Sequence, residues 1–290
     1  MPRVKQITVN VAVRVDLGFQ ERIENPSRDG AWNLVFYKPR EFHMGAEGWQ
    51  VKLFHHGRDV TAEHKSFFSI AAPKGFRWER DFRPWSFDSK TLAMVTWDKN
   101  PVHLYQVETR GQKTLEYDRG FVNSVQWAPD MDRLLLTFMT EGVLVDQTGM
   151  QQSVVQWSIK DGDSPNTFWM KRGKCFFLLG RQSGKTRLNF YNGVDGSLRE
   201  THDLDPIDIV PYNREDYAEI SRDHFSLNVI EPAIGSVGSM LDNWNTVIFD
   251  EASSTLFLSI FRPVSAPYDR GGELLCDVKQ TWVAVELDPD

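Results

Sequence analysis

The stretches "PWSFDSKTLAMVTW" (84–97) and "VQWAPDMDRLLLTF" (125–138) follow one pattern, and this pattern decides the fold. Each reads as the end of one strand, a turn built from Ser, Ala, Pro or Asp, and then a strongly apolar strand. Residues 25–37 and 247–261 follow the same pattern. The turns of the first two stretches lie about 41 residues apart, which suits a repeat unit of four strands. The sequence therefore predicts internal four-stranded repeats.

Alternation of polar and apolar residues dominates the rest of the chain. No convincing amphipathic helix exceeds two turns, and residues 212–222 are the best short helical candidate. Short apolar segments bounded by Gly, Pro, Asp or Asn predict an all-β fold, as a sandwich, a barrel or a propeller. The strand candidates are 7–15, 32–37, 49–54, 91–97, 102–108, 133–138, 142–147, 174–179, 186–191, 255–261 and 281–287.

Three of these segments, "SFDSKTLAMVTW", "VHLYQVE" and "WAPDMDRLLLTF", resemble blades of the broad β-propeller class. They are most similar to the Ser-Pro-Asp-Gly repeats of WD-repeat-like propellers and of Tol-system or prolyl-oligopeptidase-type propellers. The chain lacks the Gly-His and Trp-Asp pairs of an orthodox WD repeat. The resemblance implies a fold class and names no functional family.

We therefore predict an all-β fold, a single β-propeller domain over residues 1–290 with four-stranded blades. Five or six blades are expected, with seven as a further alternative and a pair of two-sheet sandwiches as the other architecture. Residues 200–243 include either an acidic insertion or an atypical sixth blade. The N-terminal strand 7–15 is expected beside 281–287, where it would close the ring and cover an exposed sheet edge. The predicted blades are 19–70, 76–119, 120–156, 165–204 and 244–288.

Each blade should have the same internal order. The Asp-containing turn joins the innermost strand to the second strand, because Asp and Ser side chains hydrogen-bond their own backbone in tight turns. The second strand is expected to be apolar on both faces, since neighbouring blades cover both. The third strand should alternate, and the fourth should be polar and outermost. The tryptophans at these turns, Trp32, Trp85, Trp97 and Trp127, are expected to pack between blades.

The charge of the chain is concentrated in one segment. The net charge is −7, and residues 200–223 carry eight carboxylates against two arginines. No run of Lys or Arg exceeds two residues, so the basic stripe typical of nucleic-acid binding is missing. A calcium site at Asp203, Asp205 and Asp208 is disfavoured, because the Asp-x-Asp-x-Asx-Gly loop is absent. The segment is therefore predicted to be solvated or to recognise a protein with a basic surface.

Two groups of residues are candidates for binding a partner. The segment "GFRWERDFRPW" (75–85) combines Arg and Trp in what reads as a connecting loop, and exposed Arg and Trp are common interface anchors. The second group consists of acidic residues in the 200–223 segment. The candidates are Arg77, Trp78, Arg80 and Arg83, together with Asp203, Asp205, Asp208, Glu215 and Asp216.

The stretch "GRQSGKT", Gly180 to Thr186, is similar to a phosphate-binding loop but fails two tests. Only three residues separate its two glycines where the motif needs four. The segment that follows alternates like a strand, whereas a phosphate loop leads into a helix. Residues 174–191 are therefore predicted to form a β-hairpin, and we expect no nucleotide there.

The histidine and cysteine residues follow no sequence pattern typical of a metal site or a catalytic site. His43, His55, His56 and His64 cluster in sequence, but the adjacent pair on a strand end should point to opposite faces. Cys175 and Cys276 lie in apolar contexts and are predicted to be two buried thiols, with no zinc spacing and no catalytic context. No resident cofactor or metal is expected from these patterns.

The resemblance to propellers implies the function that we predict. Propellers display loops on rigid faces, so a non-enzymatic protein-interaction module is expected, as a scaffold or a subunit of an assembly. The alternative is a hydrolase or lactonase-like propeller with a divalent metal in its central channel. A third possibility is binding of a small ligand or a glycan through exposed Trp, and the missing secretion signal weighs against a glycan. The N-terminal segment has no apolar signal region, and no stretch approaches the length that spans a bilayer. A cytoplasmic location without membrane contact is therefore expected.

Overall fold

The computed structural model describes residues 4–16, 22–37, 50–71, 76–77, 82–96, 101–157, 166–170, 174–182, 185–204, 246–250, 254–263, 268–270 and 273–287. The chain divides into two compact units. One consists of residues 1–20 with 204–290, and the other of residues 21–203.

The described elements are nearly all strands. One short α-helix, α1 (Lys65–Phe68), lies between two 3-10 turns, Thr61–His64 and Ser69–Ala71, and the sequence did not reveal it. The strands are β1 (Val4–Asp16), β2 (Arg22–Pro26), β3 (Trp32–Tyr37), β4 (Gln50–His55), β5 (Arg58–Asp59), β6 (Phe76–Arg77), β7 (Thr91–Thr96), β8 (Val102–Gln106), β9 (Gln112–Leu115), β10 (Ser124–Trp127), β11 (Arg133–Thr137), β12 (Glu141–Asp146), β13 (Gln151–Gln156), β14 (Asn166–Trp169), β15 (Cys175–Gln182), β16 (Lys185–Asn192), β17 (Leu198–Asp203), β18 (Thr246–Asp250), β19 (Thr255–Pro263), β20 (Tyr268–Arg270) and β21 (Glu273–Leu287).

Residues 21–203 hold four antiparallel sheets of four strands each, in which sequential strands are neighbours. We call them blade 1 (β2–β5), blade 2 (β6–β9), blade 3 (β10–β13) and blade 4 (β14–β17). This order confirms the prediction of an all-β fold built from four-stranded propeller blades. Blade 1 is irregular, because its fourth strand has only two residues before the chain turns into the segment around α1.

The other unit holds a sheet in the order β1-β21-β19-β18, with β20 also paired to β21. We call it blade 5. The predicted place of the N-terminal strand is confirmed, since β1 runs antiparallel to β21 from the pair Val4 and Leu287 to the pair Asp16 and Leu275. Closure of a ring and a single domain over 1–290 stay predictions. Residues 205–245, with the sixth-blade candidate and the helical candidate 212–222, lie outside the described residues.

The core lies between neighbouring blades. In β7, Leu92 and Met94 pack in a cluster with blade 1, whereas Ala93 and Val95 pack in a cluster with blade 3. Both faces of this second strand are therefore covered, as predicted. The third strands β8 and β12 are also mostly buried, so the expected alternation is wrong there, because neighbouring blades cover both of their faces as well. The outermost strands β9 and β17 are mostly exposed, as predicted.

Tryptophans at the ends of innermost strands bind the neighbouring blade. The indole N–H of Trp85 donates to the carbonyl oxygen of Asn25 in blade 1, at 2.8 Å. The indole N–H of Trp169 donates to the carbonyl oxygen of Gln126 in blade 3, at 3.1 Å. These bonds confirm the packing role predicted for Trp85. Trp127 is 1% exposed, Trp32 is partly buried, and Trp97 lies outside the described residues.

The turn after the innermost strand is held by the same hydrogen bonds in blades 1 and 2. In blade 2 the Ser86 hydroxyl donates to Asp88 Oδ1 at 2.6 Å and accepts the N–H of Thr91 at 2.9 Å. Asp88 Oδ1 also accepts the N–H of Lys90 at 3.0 Å. In blade 1, Ser27 and Asp29 make the equivalent bonds. The Ser-x-Asp sequence thus builds this turn twice, which is the role predicted for Ser and Asp.

One backbone bond recurs at this turn in four blades. The first turn residue donates its N–H to the carbonyl oxygen five positions later, with N···O distances of 2.8 or 2.9 Å. Its side chain is not needed for this bond, and therefore Ala and Met occupy the position in blades 3 and 4. The donors are Ser27, Ser86, Ala128 and Met170.

Replacing Ser86 with Ala should lower the free energy of unfolding by about 1–3 kcal/mol, because Ser86 is fully buried and the Thr91 N–H would lose its partner. Urea denaturation followed by tryptophan fluorescence measures this change. The matched control is Ser66→Ala on the exposed side of α1, where a change within about 0.5 kcal/mol is expected. Equal stability of both variants would contradict the role of the hydroxyl.

Deleting residues 1–16 should destabilise blade 5, because the edge of β21 that pairs with β1 would lose its partner strand. We expect calorimetry to show that the single cooperative thermal transition is lost. Size-exclusion chromatography should show association that increases with protein concentration. Adding a synthetic peptide of residues 4–16 should restore the transition, whereas a scrambled peptide should not. An unchanged transition in the deletion variant would contradict the pairing.

Candidate functional site

The described residues of the predicted Arg/Trp segment include strand residues and bridge residues. Arg77 lies in β6, the innermost strand of blade 2, opposite Val95. Arg83 donates its backbone N–H to the carbonyl oxygen of Val125 at 2.8 Å and accepts the N–H of Trp127 at 3.1 Å. The loop interpretation is therefore wrong at both ends, because these residues belong to the innermost layer of the sheets. Trp78 and Arg80 lie outside the described residues.

One acidic candidate is described. Asp203 ends β17, and its carboxylate accepts from Nε of Arg187 at 2.5 Å. It is therefore part of an ion pair on the outer strands of blade 4. The other four acidic candidates, Asp205, Asp208, Glu215 and Asp216, lie outside the described residues, so partner binding there stays a prediction.

The segment that is similar to a phosphate loop belongs to a hairpin. β15 and β16 are antiparallel from the pair Cys175 and Asn192 to the pair Gln182 and Lys185. This confirms the predicted hairpin, and absence of a nucleotide stays a prediction.

Cys175 is a free thiol and is buried, as expected, whereas nothing is described for the side chain of Cys276.

The turns of blades 1 to 4 meet on one surface. The backbone N–H of Asp29 in blade 1 donates to Ser89 Oγ in blade 2 at 3.3 Å. The guanidinium carbon of Arg28 lies 5.0 Å from the centre of the Phe87 ring, which is 44% exposed. We define the turn surface by the residues that interact across these turns, namely Arg28, Asp29, Phe87, Asp88, Asp130, Asp132 and Lys174.

The turn of blade 3 differs from its two counterparts. Ala128 replaces the serine, so Asp130 has no hydroxyl to bind and is not part of a capping network. Burial raises the pKa of Asp130, although Arg28 of blade 1 and Lys174 next to blade 4 act in the opposite direction. The carboxyl of Asp130 thus lies within the electrostatic influence of three blades.

A second carboxylate of the turn surface lacks a cation. Burial raises the pKa of Asp132, and the negative charge of Asp88 adds to the shift. Its Oδ1 atom is buried and has no hydrogen-bond partner among the described residues. By contrast, the pKa of Asp29 is lowered, mainly by the hydrogen bond from Ser27. The turn surface therefore combines locked carboxylates in blades 1 and 2 with free ones in blade 3.

Sequence reasoning missed the turn surface, although the Ser-x-Asp repeat marks two of its turns. Arg28 and Phe87 are ordinary turn residues in the sequence, and only contact between separate blades makes them neighbours. Arg83, which the sequence did select, lies three residues before the turn of blade 2 and is half-buried.

The histidines have structural roles where they are described. His64 is 3% exposed, and its Nδ1 lies 2.6 Å from the Tyr105 hydroxyl. His55 stacks on Trp32 with ring centres 4.1 Å apart. Within the described part of the chain, no three His, Cys, Asp or Glu side chains converge as metal ligands do. The channel metal and the enzyme activity that depends on it stay predictions.

No described helix has the length and apolar character that a bilayer span needs.

Acidification should destabilise the protein through His64 and His103. Burial lowers the pKa of both, and Arg110 adds to the shift at His64. Below about pH 6.5 the unfolded chain binds protons that the folded chain excludes, so stability should fall with pH until the lowered folded pKa is passed. Each unit of depression corresponds to about 1.4 kcal/mol. Urea denaturation between neutral and mildly acidic pH measures this loss.

The control for this prediction is a pair of histidine variants. His64→Gln should reduce the dependence of stability on pH, whereas His56→Gln, on the exposed turn of blade 1, should leave it unchanged. A pH dependence that is identical in both variants would contradict the role of His64.

No protein-family model matches the sequence, and no curated protein sequence matches it. Solved structures show weak similarity. TolB from Acinetobacter baumannii is 13% identical with a TM-score of 0.39, over 63% of this chain and 46% of that one. The Cps50 (Swd1) β-propeller domain of Myceliophteria thermophila is 11% identical with a TM-score of 0.47, over 89% of this chain and 70% of that one.

The Dos1 propeller is 10% identical with a TM-score of 0.48, and the match covers 90% of this chain and 54% of that one. At these values the similarities identify no relative whose activity could be transferred. The assignment to the β-propeller class follows from the four-stranded sheets themselves, and it extends to no specific family.

Proposed function

We propose that this chain is a protein-interaction module that binds its partner on the turn surface. The observation that carries the proposal is the exposed Phe87 ring lying under the Arg28 guanidinium, on turns from two different blades. Aromatic and Arg side chains dominate the binding energy of protein interfaces. A cation over an aromatic face also presents both groups at a fixed position.

The charge of the turn surface supports a partner with a basic segment. It carries four carboxylates, those of Asp29, Asp88, Asp130 and Asp132, against the two cations Arg28 and Lys174. Complementary charge speeds association and disfavours acidic competitors. A partner would place an apolar side chain on Phe87 and basic side chains toward Asp130 and Asp132.

The rigidity of the turns supports binding without a large ordering cost. The turns of blades 1 and 2 are each fixed by a serine hydroxyl and an aspartate, and they are joined by the bond from Asp29 to Ser89. A surface that is fixed before binding loses little conformational entropy when the partner docks. Because the contact groups come from three blades, the packing of those blades sets the distances between them.

Two variants test the proposal, Phe87→Ser and the double change of Asp130→Asn with Asp132→Asn. A partner captured by the wild-type chain and quantified by mass spectrometry should be purified and measured against each variant by calorimetry. We expect at least a tenfold weaker Kd for each, about 1.4 kcal/mol or more. For wild type the affinity should also fall as salt concentration rises.

The matched control is Phe121→Ser. Phe121 is 62% exposed and precedes β10, so it lies at the opposite end of that strand from the turn. Its replacement should leave the affinity unchanged. A partner that binds all three variants as it binds wild type would overturn the proposal for the turn surface.

The acidic segment is tested in the same assay as a separate site. The variant replaces Asp203, Asp205, Asp208, Glu215 and Asp216 with Asn or Gln. Loss of the partner in this variant alone would assign the site to the acidic segment. Loss in the turn-surface variants alone supports the proposal as stated.

A further inference from the structure

A cleft of about 240 Å³ opens between blades 3 and 4, away from the turn surface. Its floor is the outer part of the core cluster that joins the two blades, with Trp157, Leu178 and Tyr191. The inner strands pack closely, and the outer strands leave a gap that the described residues do not fill. The volume is below the roughly 300 Å³ at which pockets for drug-sized molecules begin, so one small ring fits better than a larger ligand.

The phenol of Tyr191 supplies a hydroxyl donor at this cleft. Tyr191 lines it, is 5% exposed, and among the described residues no group hydrogen-bonds to its hydroxyl. Burial raises the pKa of Tyr191 to about 12, so the hydroxyl keeps its proton and can donate. A polar occupant of the cleft would accept from this hydroxyl in place of water.

The rim supplies further donors and acceptors without free charge. Asn189 lies two residues from Tyr191 on the same face of β16, and its Oδ1 accepts from the Thr201 hydroxyl at 2.9 Å. The amide nitrogen of Gln156 donates to Glu141 Oε2 at 2.5 Å, so the Gln156 carbonyl oxygen and the Asn189 amide N–H groups are the ones left for further bonds. These neutral groups recognise hydroxyls as readily as amides.

The one cation of the lining is already neutralised. Arg187 donates from Nε to Asp203 at 2.5 Å, and both side chains are less than two-fifths exposed. An anionic ligand would have to displace Asp203, and a cationic ligand would have to displace Arg187. Charge pairing therefore favours a neutral ligand over an ion.

We propose that this cleft binds a neutral, hydroxyl-rich ring, the chemistry of a single sugar unit. One face of the ring packs against Leu198, the exposed apolar residue of the lining, beside Trp157. Its hydroxyls bond to Tyr191, Asn189 and Thr201. The site is independent of the turn surface, because it is lined by other strands and its ligand has no charge.

Saturation-transfer NMR with methyl glycosides of glucose, galactose, mannose and N-acetylglucosamine tests the site at millimolar concentration. We expect transfer from the protein to ring protons of at least one of them. Tyr191→Phe removes only the hydroxyl and should weaken the Kd about tenfold. Thr201→Arg should fill the cleft and abolish the transfer. Comparison with a trisaccharide ending in the same sugar distinguishes a chain end from a free sugar.

The matched controls make the same changes elsewhere. Tyr117→Phe alters a second phenol whose pKa burial raises to about 12, in the core between blades 2 and 3. Thr114→Arg alters the threonine of β9 that faces His103, as Thr201 faces Asn189. Both should keep wild-type binding, with folding of every variant checked by thermal unfolding. No transfer from any glycoside, transfer unchanged in both cleft variants, or equal loss in the controls would overturn the proposal.

Discussion

A single backbone hydrogen bond sets the geometry of each blade in residues 21–203. It closes the turn between the innermost strand and the second strand, from the first turn residue to the residue five positions later. Because this bond fixes where the second strand begins, it also fixes which side chains face each neighbour. Leu92 then faces blade 1 and Ala93 faces blade 3, and the core between blades follows from that alternation.

Much of the fold could be predicted because its causes are local. The Ser-x-Asp turns and the apolar second strands can each be recognised within about ten residues of sequence, as at P-W-S-F-D-S before β7. The innermost strand of blade 2 could not be predicted. Its β6 has only two residues, and Arg83 pairs with another blade instead of with its own, so residues 76–85 read as a loop. The predicted alternation is wrong in the third strands β8 and β12, because their second face is covered only by a neighbouring blade.

The candidate sites were harder to predict because they join residues that are distant in sequence. Arg28 and Phe87 are separated by nearly sixty positions and meet only when two turns come together. Tyr191 looks like any core residue of a strand until the gap beside Trp157 shows that its hydroxyl is accessible. The distribution of charge, by contrast, can be read directly from the sequence, and it identifies the acidic segment 200–223. Local composition thus indicates a class of partner, whereas contact between blades determines where chemistry can occur.

The pairing of β1 with β21 constrains the order in which the protein forms. During synthesis, β1 emerges before blades 1 to 4, and its partner β21 emerges after them. Blades 1 to 4 have local pairings that can form as each leaves the ribosome, but blade 5 has to wait. A chain that stalls before residue 273 would leave β1 without its partner strand. Pairing of β1 with β21 therefore closes a much longer loop than any pairing inside blades 1 to 4, and it should form more slowly than those pairings.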